Sequence, residues 1–136
     1  MLALVARHGE TFVKFGIVGT IGFLVDVSLL YLLLYLGAGP HLGRLGSFLG
    51  AATTTWFLNR VFTFRDAARG PRGRQWLRFV AVNALGALAN LGTYLLVITF
   101  GPPSELLPGL GVAAGSIAGL AFNYTLSRRF VFTPGR

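Results

Sequence analysis

The stretch RDAARGPRGRQ, residues 65–75, is the one clearly water-soluble run in this chain, and it separates two long apolar arms. It carries Arg65, Arg69, Arg72 and Arg74, with Arg60 and Arg78 close on either side and Gly70-Pro71 breaking any helix through it. Arg7 and Lys14 precede the first arm, and Arg128, Arg129 and Arg136 come after the second. Of the chain's 12 Lys and Arg residues only Arg44 lies elsewhere, at the tip of the first arm, while Glu105 marks the tip of the second. Basic residues that flank apolar spans stay on the cytoplasmic side of a membrane. The pattern therefore predicts an all-α membrane protein: four transmembrane helices forming two helical hairpins, with both termini cytoplasmic. A single domain, residues 1–136, divides into hairpin one at about 12–64, a basic cytoplasmic loop at 65–75 and hairpin two at about 76–132.

Composition agrees. Only 12% of residues are charged and 54% are hydrophobic, with a mean hydropathy of +0.67, too little charge to cover a water-soluble surface. The net charge of +8 does not make this a nucleic-acid binder, because the arginines bracket apolar spans instead of collecting on a polar face. With no cysteine there is neither a disulfide nor a thiolate metal site. His8 and His41 are isolated outside the spans, so no metal and no cofactor is expected. The opening MLALVARHGETFVKFG has too short an apolar stretch for a cleaved signal peptide, so the first helix is expected to remain in the mature protein.

The first span, Phe15 to Leu36, holds one charge, Asp26, and reaches roughly 33 Å, enough for a hydrocarbon core of about 30 Å. Gly37, Gly39 and Pro40 end it, and a second span runs from about Leu45 to Phe64. The third, about Phe79 to Phe100, is uncharged and stops at Gly101-Pro102-Pro103; the fourth runs from about Leu106 to Phe132, with Pro108 in its first turn.

The arms repeat each other. Phe12-Val-Lys-Phe15 matches Trp76-Leu-Arg-Phe79 at an offset of 64 residues, which sets Asp26 against Asn90. Thr55-Trp-Phe-Leu-Asn59-Arg60 matches Asn123-Tyr-Thr-Leu-Ser127-Arg128 at an offset of 68, as does Phe62-Thr-Phe64 against Phe130-Val-Phe132. Each copy crosses twice, so the repeat is parallel about an axis along the membrane normal, unlike an inverted transporter repeat. Gly111, Gly115 and Gly119 form GxxxG steps in the fourth helix, Gly46 and Gly50 one in the second, and Gly16, Gly19 and Gly22 recur in the first. All are expected at helix contacts, where small residues let backbones approach.

Asp26 is the one acid within an apolar span, roughly 16 Å along it from Phe15. An ionised carboxylate there costs at least about 2.5–3.5 kcal/mol, so it should face the bundle interior or be protonated. Two readings stand on the residues alone: a proton-coupled or polar-substrate site, or a packing hydrogen bond to Asn83, Asn90 or Ser28. Arg60, Arg128 and Arg129 lie near the ends of the second and fourth helices beside Asn59, Asn123 and Tyr124. A guanidinium fork suits phosphate, and the amides suit a sugar; the competing reading is arginines that snorkel to headgroups and set topology. Phe62, Phe64, Phe130, Phe132, Trp56 and Trp76 read as interfacial belt residues. No nucleophile with its base and no carboxylate pair occurs, so no catalytic centre and no enzyme is expected.

The two copies Thr55-Trp-Phe-Leu-Asn59-Arg60-Val-Phe-Thr-Phe64 and Asn123-Tyr-Thr-Leu-Ser127-Arg128-Arg-Phe-Val-Phe132, with the opening Phe12-Val-Lys-Phe-Gly-Ile-Val-Gly19 and Asp26, resemble the GtrA-like family over roughly residues 10–133. Its members are small bacterial and archaeal four-helix proteins whose second and fourth helices end in Asn-Phe-x-x-Asn-Arg-x-x-x-Phe. This chain has Thr55 and Ser127 where an asparagine is usual, so each half keeps a different one, Asn59 and Asn123. The resemblance implies work in cell-surface polysaccharide synthesis at a prokaryotic cytoplasmic membrane, as a multi-pass protein. The function it implies is flipping of a polyprenyl-phosphate-linked monosaccharide. Phosphate would be held by Arg60, Arg128 and Arg129 with Asn59 and Asn123 nearby, and Asp26 and Asn90 would line a polar path. A second reading is a membrane anchor that recruits a partner glycosyltransferase; a third is a small multidrug-type proton antiporter. A chain this small encloses little alone, which favours a homodimer.

Overall fold

The computed structural model describes residues 1–67 and 70–133, and among them every regular element is helical. Arg69 and Arg136 of the basic pattern, and part of the 65–75 link, lie outside the described residues. Helix α1 is Leu2–Tyr35, α2 is Pro40–Leu58, α3 is Arg72–Phe100 and α4 is Leu107–Leu126. Helices α2 and α4 each run on into a single π-helical turn, Asn59–Thr63 and Ser127–Val131.

Helix α1 starts well before the expected span, because Leu2, Ala3, Leu4, Val5 and Ala6 are helix formers with no breaker before Gly9. It ends in a Schellman motif: the Gly37 amide donates to the Leu34 carbonyl (3.1 Å) and the Ala38 amide to the Leu33 carbonyl (2.9 Å). Gly37 sits at φ +91°, which a side chain would resist. Pro40 then occupies the first turn of α2, where its missing N–H is harmless.

Three of the four helices, α1, α3 and α4 with its π-turn, are long and apolar enough to cross a membrane. Helix α2 falls short of that hydropathy because its 19 residues include Arg44, Ser47 and three successive threonines. Those threonines hide their hydroxyls by donating to their own helix: Thr53 to the Leu49 carbonyl (2.7 Å), Thr54 to Gly50 (2.9 Å) and Thr55 to Ala51 (2.9 Å). Leu24, Leu88 and Ile117 are all more than half exposed, the apolar exterior of a membrane protein.

Helix α1 packs along α2, and α3 along α4. In the second pair Gly111 lies against Tyr94, Gly115 against Asn90, and Gly119 against the Gly86 carbonyl. In the first, Gly43, Gly46 and Gly50 receive Leu34, Leu33 and Leu29. Gly22 meets Thr55 and, at the repeat offset, Gly86 meets Asn123. Gly16 and Gly19 depart from the expected contact role, since no neighbour would meet a Cβ at either; they line a cavity instead.

The two pairs join at the π-turn end through an aromatic cluster with approximate two-fold symmetry. Phe64 stacks on Phe132 (centroids 4.7 Å apart, planes at 9°), Phe15 meets Phe64 edge-on at 6.1 Å, and Phe79 meets Phe132 likewise at 5.9 Å. Phe64 and Phe132 are therefore core residues, a correction to their assignment as an interfacial belt; Phe62 and Phe130 remain exposed. The π-turn supplies the reason. One extra residue in the turn rotates the chain beyond it about the helix axis, and the Phe64 and Phe132 amides donate to Asn59 and Ser127 carbonyls five residues back (2.7 and 2.8 Å).

Candidate functional site

The four helices together line an open cavity of about 520 Å³. Gly16 and Gly19 keep part of its wall clear of side chains, and Phe15 and Phe79 also line it.

At one region of the wall Asp26 is paired with Arg44. The Arg44 Nη1 donates to both carboxylate oxygens at 2.7 Å and lies 3.3 Å from the Ser47 hydroxyl, which itself donates to the Arg44 carbonyl at 3.1 Å. Asp26 thus lines the cavity, but its partner is neither Asn83, Asn90 nor Ser28. The arginine near the tip of the first arm reaches it because α2 begins at Pro40, which puts Arg44 one turn inside the helix and alongside α1. Asn90, the repeat counterpart of Asp26, lines the same cavity with Asn83, whose side chain donates to the Phe79 carbonyl at 2.9 Å.

Asn59 and Asn123 also line this cavity. Asn59 is 1% exposed, and the Oδ1 atoms of both residues are buried without a hydrogen-bond partner. An orphaned buried acceptor costs about 1–3 kcal/mol, and both oxygens are closed off from the open space of the cavity as the side chains stand. The neighbouring π-turns leave Thr63 and Ser127 hydroxyls similarly unpartnered.

None of the three expected phosphate-binding arginines is among the residues lining this cavity. Arg60 is buried: its Nη1 donates to Gln75 Oε1, which also accepts from Trp56 Nε1 at 3.1 Å, and its guanidinium lies 6.0 Å from the Trp56 ring centroid. Arg128 sits 3.2 Å from the His8 ring nitrogen Nε2. Each repeat-related arginine thus leans on the first part of a helix of the other pair, Arg60 on α3 and Arg128 on α1. Arg129 lies over Phe130 at 5.7 Å and lines a separate shallow cleft with Arg78. Sequence reasoning missed Arg44 as a site residue. Its signal was there: it is the one basic residue apart from all the others, 18 positions after the one acid in an apolar span.

Comparison with known proteins bears on the same residues. The chain is 29% identical over 92 residues to a dolichol-phosphate mannosyltransferase of Pyrococcus furiosus, an alignment covering 68% of this chain and 26% of that protein. The chain therefore corresponds to about a quarter of that relative's length. The family model for the GtrA/DPMS transmembrane domain matches residues 14–132. That match runs from Lys14, just before the Phe15 aromatic contact, to Phe132 at the pseudo-two-fold stack, and takes in every residue lining the central cavity; the chain belongs to the GtrA/DPMS transmembrane-domain family.

Proposed function

We propose that this protein carries a polyprenyl-phosphate-linked monosaccharide across the cytoplasmic membrane, all four helices crossing it and both termini lying on the cytoplasmic side. The observation that carries this reading is the cavity: a space of about 520 Å³ walled by all four helices of a membrane protein and lined with amides and one ion pair. Its size is that of a small-ligand site, and groups of this kind at membrane depth mark substrate pathways. Asn59 and Asn123 accept from sugar hydroxyls, while Asp26 and Asn90 line the path. Arg60 and Arg128, with Arg129, draw the phosphate to the cytoplasmic face, where guanidinium groups bind it strongly.

The test is flipping of a labelled polyprenyl-phosphate sugar in proteoliposomes by the purified protein, against empty vesicles. Equal rates in both would end the reading and favour recruitment of a glycosyltransferase, for which kinship to a mannosyltransferase is the supporting observation.

The topology and the arginines can each be tested separately. Cysteines at Asp66 or Gly70 should label with an impermeant maleimide only from the cytoplasm, and cysteines at His41 or Ser104 only from outside; labelling of position 66 from outside would end the four-span topology. Arg60→Gln or Arg128→Gln should weaken binding of a polyprenyl phosphate at least about tenfold, the worth of a charge-assisted hydrogen bond. Arg72→Gln, on an exposed side chain, should change it little. Equal effects at all three positions would return these arginines to setting topology.

A further inference from the structure

We infer that Arg44 is the anion-binding group of the central cavity, taking a phosphate ester on the edge of its guanidinium that Asp26 leaves open; this rests on the lipid-linked substrate reading above. Among the described residues, Asp26 and Arg44 are the only charged side chains that line the cavity. All three side-chain contacts of Arg44 fall on one nitrogen, Nη1, which serves both Asp26 oxygens and the Ser47 hydroxyl. The Nε and Nη2 atoms, three of a guanidinium's five N–H donors, make no hydrogen bond to any described residue. Together they form the planar fork that matches two oxygens of a phosphate. The Arg44 side chain is 58% exposed while that of Asp26 is 19% exposed, so the cation, and not its counter-ion, is the accessible member of the pair.

Packing does not account for the pair. The repeat-equivalent positions in the second half are Asn90 and Val112. There α3 and α4 pack with no ion pair, through Gly111, Gly115 and Gly119. The first half has its own glycine contacts at Gly43, Gly46 and Gly50. A partly exposed ion pair is also a weak source of stability, commonly about 0–1 kcal/mol. Its retention in one half alone makes an otherwise two-fold cavity charged on one wall. A ligand with an anionic end and a hydroxyl-rich end is then held in one orientation, phosphate at Arg44 and hydroxyls at Asn59 and Asn123. Asp26 acts as a positioning residue that fixes the Nη1 edge and leaves the other edge free.

The experiment is calorimetric titration of the full chain in detergent with farnesyl phosphate, and with farnesol as the uncharged control. Wild type should prefer the phosphate. Arg44→Gln should lower affinity for the phosphate about tenfold or more and leave affinity for farnesol as it was, with Arg72→Gln unchanged. Because Arg44→Gln strands the Asp26 carboxylate, the charge-neutral double variant Asp26→Asn/Arg44→Gln carries the same measurement if the single one fails to fold. A folded double variant that binds farnesyl phosphate as wild type does would overturn the assignment while leaving the substrate reading in place. Wild type that does not distinguish phosphate from alcohol would overturn both.

Discussion

Replacing Asn59 and Asn123 together by leucine is expected to slow flipping of a lipid-linked sugar roughly a hundredfold while leaving the protein about as stable as wild type. The two effects have one cause. Each amide presents a buried Oδ1 with no partner in the protein, so folding bears the desolvation of both oxygens with no hydrogen bond in return. Leucine keeps the branched shape without a polar atom. Relief of an unsatisfied buried polar group, about 1 kcal/mol or more for each, offsets the bulk that its methyl groups add, which at position 123 presses on Gly86. A substrate hydroxyl that would have donated to those oxygens loses its partners. Two hydrogen bonds of about 1–1.5 kcal/mol each correspond to roughly a hundredfold in rate if both are made at the rate-limiting barrier. The measurements are transport in proteoliposomes and thermal unfolding in detergent on the same preparations. Transport at the wild-type rate by the double leucine variant would show that the asparagines do not touch substrate.

The largest expected effect on stability belongs to Gly115. A Cβ built there meets the Asn90 carbonyl oxygen at 2.6 Å and the Asn90 Oδ1 at 2.5 Å. The side-chain atom can turn away, but the carbonyl belongs to the backbone of α3, so the helices themselves must separate. Gly115→Ala should therefore destabilise by about 1–3 kcal/mol, the usual effect of overpacking. Gly109→Ala is the matched control: nothing lies within 4 Å of its Cβ position, and alanine improves helix propensity there by about 1 kcal/mol. Gly46→Ala should fall between them, since only the flexible Leu33 Cδ1, 2.8 Å away, has to move. Unfolding midpoints in detergent order the three. Equal stability of the Gly115 and Gly109 variants would mean that α3 and α4 are not held by close backbone approach.

The same contrast among glycines marks where sequence reading stops. Spacing of four along α4 was sufficient to predict that Gly111, Gly115 and Gly119 face a neighbour, because helical periodicity puts them on one stripe. Spacing of three along α1 did not distinguish Gly22, which touches Thr55, from Gly16 and Gly19, which open into the cavity. A glycine stripe looks the same in sequence whether a backbone or a void lies opposite.

By itself the sequence determined the solvent, the helices and the repeat. Those rest on properties carried by consecutive residues: apolar runs long enough for a bilayer, Gly and Pro breaks, basic flanks, and matched motifs at offsets of 64 and 68. It also singled out Asp26, Asn90, Asn59 and Asn123, which line one cavity. Only the tertiary structure decided what each of these groups faces. Arg44 reads as a tip residue until α2 folds back along α1 and brings it to Asp26. Phe64 and Phe132 read as a membrane belt until the π-turns rotate them onto each other. Arg60 and Arg128 lie one residue from the cavity asparagine and from Ser127 respectively, yet each rests on a helix of the opposite pair. The reason is common to all three cases: adjacent residues on a helix point about 100° apart. Which direction is inward therefore depends on the placement of a neighbour that no local pattern encodes.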